Sequence, residues 1–393
     1  MKELEILNKA KALFPKMQKI RRDIHQNPEL SFQEYETCKY IQDQLDELGI
    51  SNKVIGKTGV VATIGNGSRC VGLRADIDAL PIQEETGLEF ASKNDGVMHA
   101  CGHDMHTTML LGAAEILKNM ESELKGIVKL IFQPGEEKLP GGASILIKEG
   151  VLENPKVDAI FGQHIYPGET EGVVSLNSGP VMGAPDELYF TIKGKSTHAA
   201  QPQLGFDPIV AASQLILHFQ TLMTKFKDPI DAGVLTITSI HGGNATNIIP
   251  DEVKLMGTLR SFNEDWRDKM HKLIENNSKS LCKMYGCEIE VDIKKGYPPV
   301  INDERLTELT KNNSNMIVGE DKSVEFIPKM WGEDFAYYGK NIPSTFWFTG
   351  VRPQGLEEMP ALHNSKLNPS ENALPIGTTM LITAAINYLN GEL

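Results

Sequence analysis

Positive charge is scarce in this chain: 39 Lys and Arg stand against 52 Asp and Glu in 393 residues, for a net charge of −13 at pH 7. A nucleic-acid binder needs a basic surface to displace counterions from phosphates, so that class is excluded. No basic patch hides in the acidic total, because "KIRR" near Arg21 is short and lies among mixed charges. Long apolar runs are missing too. No window approaches the roughly eighteen uninterrupted apolar residues of a transmembrane helix, so no membrane partner is expected. The stretch "MKELEILNKAKALFPKM" interleaves charged and apolar residues and lacks the continuous apolar core of a secretory leader. Cysteines are few and odd in number, scattered at Cys38, Cys70, Cys101, Cys282 and Cys287. That is no disulfide framework; it fits reduced thiols in a cytoplasmic protein. There is neither an internal repeat nor a low-complexity segment.

What is present reads as ordinary globular protein, with 40% hydrophobic residues and enough length for two domains. The first half alternates helical and strand patterns. Helical periodicity up to about Leu48 is broken by "HQNPEL", "GVVATIG" and "CVGLRADIDAL" read as strands, and "HTTMLLGAAEILKNM" follows as a helix. "GIVKLIFQP" is a short apolar run closed by Gln-Pro, as in a strand buried on both faces. Such alternation predicts an α/β layer. Around Pro185 the pattern changes to strand, helix, strand, strand, helix, strand, from "ELYFTIKGKS" to "CEIEVDIKKG". That is a complete split-βαβ, ferredoxin-like unit. The expected division is therefore a catalytic domain of residues 1–184 and 298–393 and an inserted α+β domain of residues 185–297.

One short stretch concentrates metal-binding chemistry: "MHACGHDMH" carries His99, Cys101, His103, Asp104 and His106 just before an apolar helix. Further donors recur at other element ends. Glu136 and Glu137 follow the buried strand in "LIFQPGEE", where open α/β sheets keep their sites. His164 closes the apolar run "DAIFGQHI", and His363 sits in the polar loop "ALHNSKLNP". Taken singly, each has a bland explanation: a Glu-Glu is usually a solvated turn, and a lone His a satisfied structural residue. His99, His106, His218 and His271 are read in that structural sense. Jointly the donors ask for cations, since two adjacent carboxylates at a buried strand end are costly without compensation. Cys101 at a helix start is expected to have a lowered thiol pKa. Imidazole, thiolate and carboxylate together suit zinc, manganese, nickel or cobalt better than calcium or magnesium. In "GLRADIDALP", Arg74, Asp76 and Asp78 share one strand face, and buried carboxylates there can orient metal-bound imidazoles.

The motifs "RRDIHQNPELSFQE", "LRADIDALPIQEETGLEFAS", "MHACGHDMHTTMLLGAA", "FQPGEE", "GKSTHAAQP", "GGNATNIIPD", "GTLRSF", "GEDFAYY" and "LHNSKLNP" resemble, in order, the dinuclear metal amidohydrolases. That family includes bacterial aminoacylases and carboxypeptidases, hippurate hydrolase, N-acetyldiaminopimelate deacetylase and auxin-conjugate hydrolases. The resemblance runs from about residue 20 to residue 390. It implies a zinc-peptidase-like α/β catalytic domain with a mixed, mostly parallel sheet, an inserted lid that often dimerises, and a homodimer or homotetramer. It implies two divalent metal ions on Cys101, His103, Glu137, His164 and His363, and Glu136 as general acid/base, with Asp76 also in the catalytic set. His198 would support the carbonyl oxygen, and Asn247 and Arg260 would lie near a substrate carboxylate. The expected reaction is hydrolysis of the amide bond of an N-acyl amino acid by a metal-activated water. A carboxypeptidase or dipeptidase activity on short peptides is the alternative, and a metal-stabilised binding protein a remote one. Two departures are visible: Gln203 stands where relatives commonly have His, and "KLPGG" follows the paired glutamates where many have Gly-Pro.

Overall fold

The structure, a computed structural model, describes residues 2–392 and separates into two compact units. One runs to Val181 and takes in Ile301–Ile327 and the chain from Asp334 onward; the other comprises Met182–Val300 and Pro328–Glu333.

The first unit is built on a mixed eight-stranded sheet. Its order is Asn52–Ile55, Gly59–Gly65, Ile127–Gln133, Cys70–Asp76, Ala159–Thr170, Ser344–Arg352, Val174–Leu176 and Ser323–Glu325. The central strands run parallel, and antiparallel pairings flank them on both sides. Every residue of Cys70–Asp76 is buried. That is why this strand lacks polar alternation, and why the charged Arg74 and Asp76 at its end need partners. Helices Lys2–Gln26, His103–Asn119 and Leu374–Asn390 contribute Met17, Leu110, Ala114, Met380 and Ala384 to one continuous core. The last helix is apolar nearly all round and nearly all buried, as that composition requires.

Two local departures from expectation matter for the site. The strand holding His164 does not end there but continues to Thr170, because Ser344–Arg352 pairs alongside it and sets Phe348 opposite His164. The helix after the donor-rich stretch begins at His103, one turn earlier than the apolar pattern indicates, behind Gly102 in the left-handed conformation (φ 84°). A Cβ on Gly102 would lie 2.2 Å from Ile165 Cδ1, so that turn requires glycine.

The second unit is a four-stranded antiparallel sheet in the order Gly233–His241, Glu252–Ser261, Ala184–Lys193, Glu288–Lys295. Helices Pro208–Lys225 and Glu264–Met284 cover one face and bury Ala211, Leu215, Phe219, Met270 and Ile274 against Leu188, Phe190 and Leu255. The helix starts are set by sequence: Asp207 accepts from the Ile209 and Val210 N–H groups, and Asn263 from Trp266 N–H.

Candidate metal centre

The carboxyl end of Cys70–Asp76 organises the histidines of the following helix. Asp76 takes Arg74 Nη1 at 2.6 Å on one oxygen and His106 Nδ1 at 2.6 Å on the other. The Nε2 of His106 accepts from Ile165 N–H at 2.8 Å, so both ring nitrogens are committed and His106 is structural. Two residues on, Asp78 does for His103 what Asp76 does for His106. The Nδ1 of His103 lies 2.9 Å from the Asp78 carbonyl and 3.2 Å from its carboxylate. That fixes the tautomer and leaves Nε2 of His103 buried, bare and without a hydrogen-bond partner. His164 follows the same rule, its Nδ1 donating to Ile165 O at 2.7 Å and its Nε2 standing 3.3 Å from Cys101 Sγ.

Around these two Nε2 atoms the remaining donors gather. Ligand atoms of Cys101, His103 and His164 lie within 4.8 Å of one another, as do those of Cys101, Glu137 and His363, and of His103, Glu136 and Glu137. His363 has φ 63° and is tied through its N–H to Ala100 O at 2.8 Å, which carries the far loop to the Cys101 turn. Its Nε2 is 3.1 Å from Glu137 Oε1, an oxygen that has no hydrogen-bond partner of good geometry. Six side chains converge here, with His103 Nε2 and Glu137 Oε1 left without hydrogen-bond partners; cations taking the place of the thiol and imidazolium protons would satisfy them, and the donor set fits a divalent transition metal.

Electrostatics agree with that fit. Burial alone would lower the His103 pKa, but Asp76, Asp78 and Glu137 outweigh it and hold the imidazole up at about 10: the anionic cluster pulls a positive charge onto this spot. His164 is kept well below its ordinary value by burial and by neighbouring His106, hence neutral and ready to ligate. Cys101 corrects an expectation. Its thiol is raised, not lowered, because burial and the charges of Glu137, Glu136 and Asp76 outweigh any benefit of the helix start. A cation would have to deprotonate it.

The sequence-derived residues of the second unit form another group. His198 and Asn247 are exposed and adjacent, on the short ladder that pairs Thr197–His198 with Ile248–Ile249; Ala199 N–H binds Asn247 O at 2.9 Å. Arg260 is half-buried on Glu252–Ser261, with Nη1 donating to the carbonyls of Asp186 and Leu259 at 3.2 Å each. Three residues about the centre were not singled out from sequence. Ser31 donates to Asp78 Oδ2 at 2.7 Å, Glu34 accepts from Gly135 N–H at 2.8 Å, and Asp334 takes Arg74 Nη2 at 2.9 Å. Their available signal was a Ser or carboxylate inside "ELSFQE" and "GEDFAYY", which nothing local separates from a solvated loop.

Residues 72–387 match the model of peptidase family M20/M25/M40. The chain is 41% identical over 389 residues to IAA-amino acid hydrolase ILR1-like 4 of Arabidopsis thaliana, covering 98% of this chain and 88% of that protein. It is 42% identical over 335 residues to N-acetyl-L-cysteine deacetylase of Bacillus subtilis, covering 84% of this chain and 79% of that one. Its fold superposes on the Bacillus subtilis YXEP protein, described as a dinuclear metal binding peptidase from the M20 family, with TM-score 0.82 and 35% identity over 97% of this chain and 99% of that chain.

Proposed function

The chain belongs to peptidase family M20/M25/M40, and from that premise we propose that it is a metal-dependent amidohydrolase cleaving the amide bond of N-acyl amino acids. The observation that carries this reading is the meeting of two donor groups at Cys101, one with His103 and His164 and one with Glu137 and His363, beside the carboxylate of Glu136. Those five residues would hold two divalent ions, zinc, manganese, nickel or cobalt, with Cys101 common to both groups. When bound, the ions supply a Lewis acid for the scissile carbonyl and an acidified water. Glu136, 6% exposed, takes the proton of that water and returns it to the leaving amine, a role worth about 10²–10⁴-fold. Asp78 keeps His103 in the tautomer that presents Nε2, and Asp76 locks His106 and so the first turn of the helix. His198 is assigned to the carbonyl oxygen, and Asn247 and Arg260 to the substrate carboxylate; Arg260 must exchange a backbone carbonyl for the ligand. Relatives named for hydrolysing IAA-amino acids and for deacetylating N-acetyl-L-cysteine support the acyl-amino-acid class.

We assign residues 185–297 as the lid and a homodimer or homotetramer as the assembly, which light scattering would check. No helix among the described residues is long and apolar enough to cross a membrane. The cytoplasmic location rests on five unpaired cysteines. The functional test is a panel of acetyl, benzoyl and indole-acetyl amino acids plus dipeptides, run on metal-stripped protein reconstituted with each ion. Turnover of acyl amino acids is expected; turnover of dipeptides alone would make it a peptidase, and no turnover with metal bound would end the reading.

A further inference from the structure

Glu34 sits at the amino end of helix Tyr35–Glu47 but makes no capping hydrogen bond there. Its fully buried carboxylate turns away and spans three other groups. Oε1 accepts from Phe32 N–H and from Gly135 N–H, both at 2.8 Å, and Oε2 accepts from Thr58 Oγ at 2.6 Å. Gly135 is the residue before Glu136 and Glu137, the proposed acid/base and metal ligand. The contact is closed from outside as well. Phe32 has φ 66°, a costly conformation for an aromatic residue, and its ring lies so close that a Cβ on Gly135 would meet Phe32 Cε1 at 2.2 Å. One residue back, Ser31 Oγ donates to Asp78 Oδ2, the same oxygen that accepts from Glu137 N–H at 3.0 Å. Segment 29–34 is pinned in turn where Ala79 N–H binds Glu29 O at 2.8 Å.

The carboxylate ties the strained loop at Phe32 to Thr58 and Gly135, far along the chain, and these bonds share one product, a fixed Pro134–Glu137 turn. We propose that Glu34 is a positioning residue: through the Gly135 N–H it sets the turn that delivers Glu136 and Glu137, so metal affinity and turnover depend on its reach rather than on its charge. Burial, opposed by the Thr58 hydrogen bond and helped by the charge of Asp78, pushes its carboxyl up to about 7. A group held at that cost is retained for what it ties together.

The proposal rests on the metal-dependent reading above, and its test separates the two. Zinc affinity by competition with a chromophoric chelator, metal-free melting temperature, and kcat and KM on an N-acetyl amino acid are measured for wild type, Glu34→Asp, Glu34→Gln, Glu34→Ala and Ile41→Ala. Ile41 is fully buried in the same helix and controls for lost stability. Glu34→Asp keeps the charge but is a methylene short; it and Glu34→Ala should lose about 10–100-fold in zinc affinity, the range for residues that orient ligands, with kcat falling and KM within about twofold. Glu34→Gln keeps an oxygen for both N–H groups and should stay within about threefold of wild type. Ile41→Ala should melt lower with unchanged zinc affinity. The proposal is overturned if Glu34→Asp matches wild type in zinc affinity, or if Glu34→Gln falls with Glu34→Ala. If wild type turns over no substrate, the functional reading fails, while the zinc affinities still decide the role of Glu34.

Discussion

Both units bury charge, and they do it in opposite ways. In the second, Asp186 is fully buried and every lone pair is answered: Arg267 Nε at 2.9 Å, Arg267 Nη2, His271 Nε2 at 2.6 Å and Gly296 N–H at 3.0 Å. Arg267 spends its other N–H groups on Glu264 at 2.6 Å and on the carbonyls of Tyr297 and Gly296 at 3.0 Å. The buried unpartnered polar side-chain atoms among the described residues of that unit are the Trp266 indole N–H and the Ser278 hydroxyl, neither of them charged. In the first unit, His103 Nε2 and Glu137 Oε1 are buried without hydrogen-bond partners beside the Cys101 thiol. A closed network holds a fold; an open one of like character waits for something positive. The difference lies in how many buried polar atoms are left without a partner at each site.

Substitutions can break this contrast, and the largest effect belongs to the open network. Glu136→Gln keeps shape and removes the proton carrier, so kcat should fall about 10²–10⁴-fold while metal content by elemental analysis stays at the wild-type level. Retained turnover would move Glu136 out of the reaction. In the closed network, Arg267→Ala strands the Asp186 charge and should cost about 3–5 kcal/mol in denaturant unfolding, with no change in zinc affinity. A loss below about 1 kcal/mol would mean that Asp186 is answered by water and the contrast is false. Between them stands Asp78→Ala, which removes the carboxylate 3.2 Å from His103 Nδ1 and leaves the backbone carbonyl at 2.9 Å, without removing a ligand. It should weaken zinc binding about 10–100-fold and leave metal-free stability less affected than Arg267→Ala does. Equal loss in both measurements would make Asp78 a fold residue.

Much of the contrast was legible in the chain, and its limits have physical causes. The donor-rich stretch, the paired glutamates and His363 are visible because their side chains carry chemistry that is rare at such density. The split-βαβ order is visible because strand and helix periods differ. The apolar patterning stops at His164 and reads as a strand end, whereas the ladder goes on: hydrogen bonds to Ser344–Arg352 carry it to Thr170, and pairing partners are not written locally. The Cys101 thiol reads as acidic from its helix start, which is local and sequence-readable, while the burial that raises it and the three carboxylates that add to it come from the tertiary fold. Glu34 carries no local signal for the same reason. Its function lies in Gly135, a hundred residues away along the chain.

The smallest effect sharpens the comparison through pH, because the two kinds of buried carboxylate respond with opposite sign. Burial would raise Asp186, but the hydrogen bonds of Arg267 and His271 and the charge of Arg267 win and hold it at about 2, below the ordinary 3.8. A depressed carboxyl stabilises the fold above its unfolded pKa and loses that contribution as pH falls through the folded one, so unfolding free energy should drop by about 2 kcal/mol between about pH 4 and 2. Glu34, held up at about 7 from 4.5, does the reverse: the folded chain keeps a proton the unfolded chain gives up, and stability declines as pH rises through that interval. Denaturant titrations of metal-free protein across both windows read the two slopes separately. Asp186→Asn should flatten the acid limb and leave the upper one, and Glu34→Gln should flatten the upper limb and leave the acid one. If Asp186→Asn keeps the full acid slope, the stabilising charge of the second unit lies elsewhere, and a closed network around Asp186 no longer explains why that unit needs no ligand.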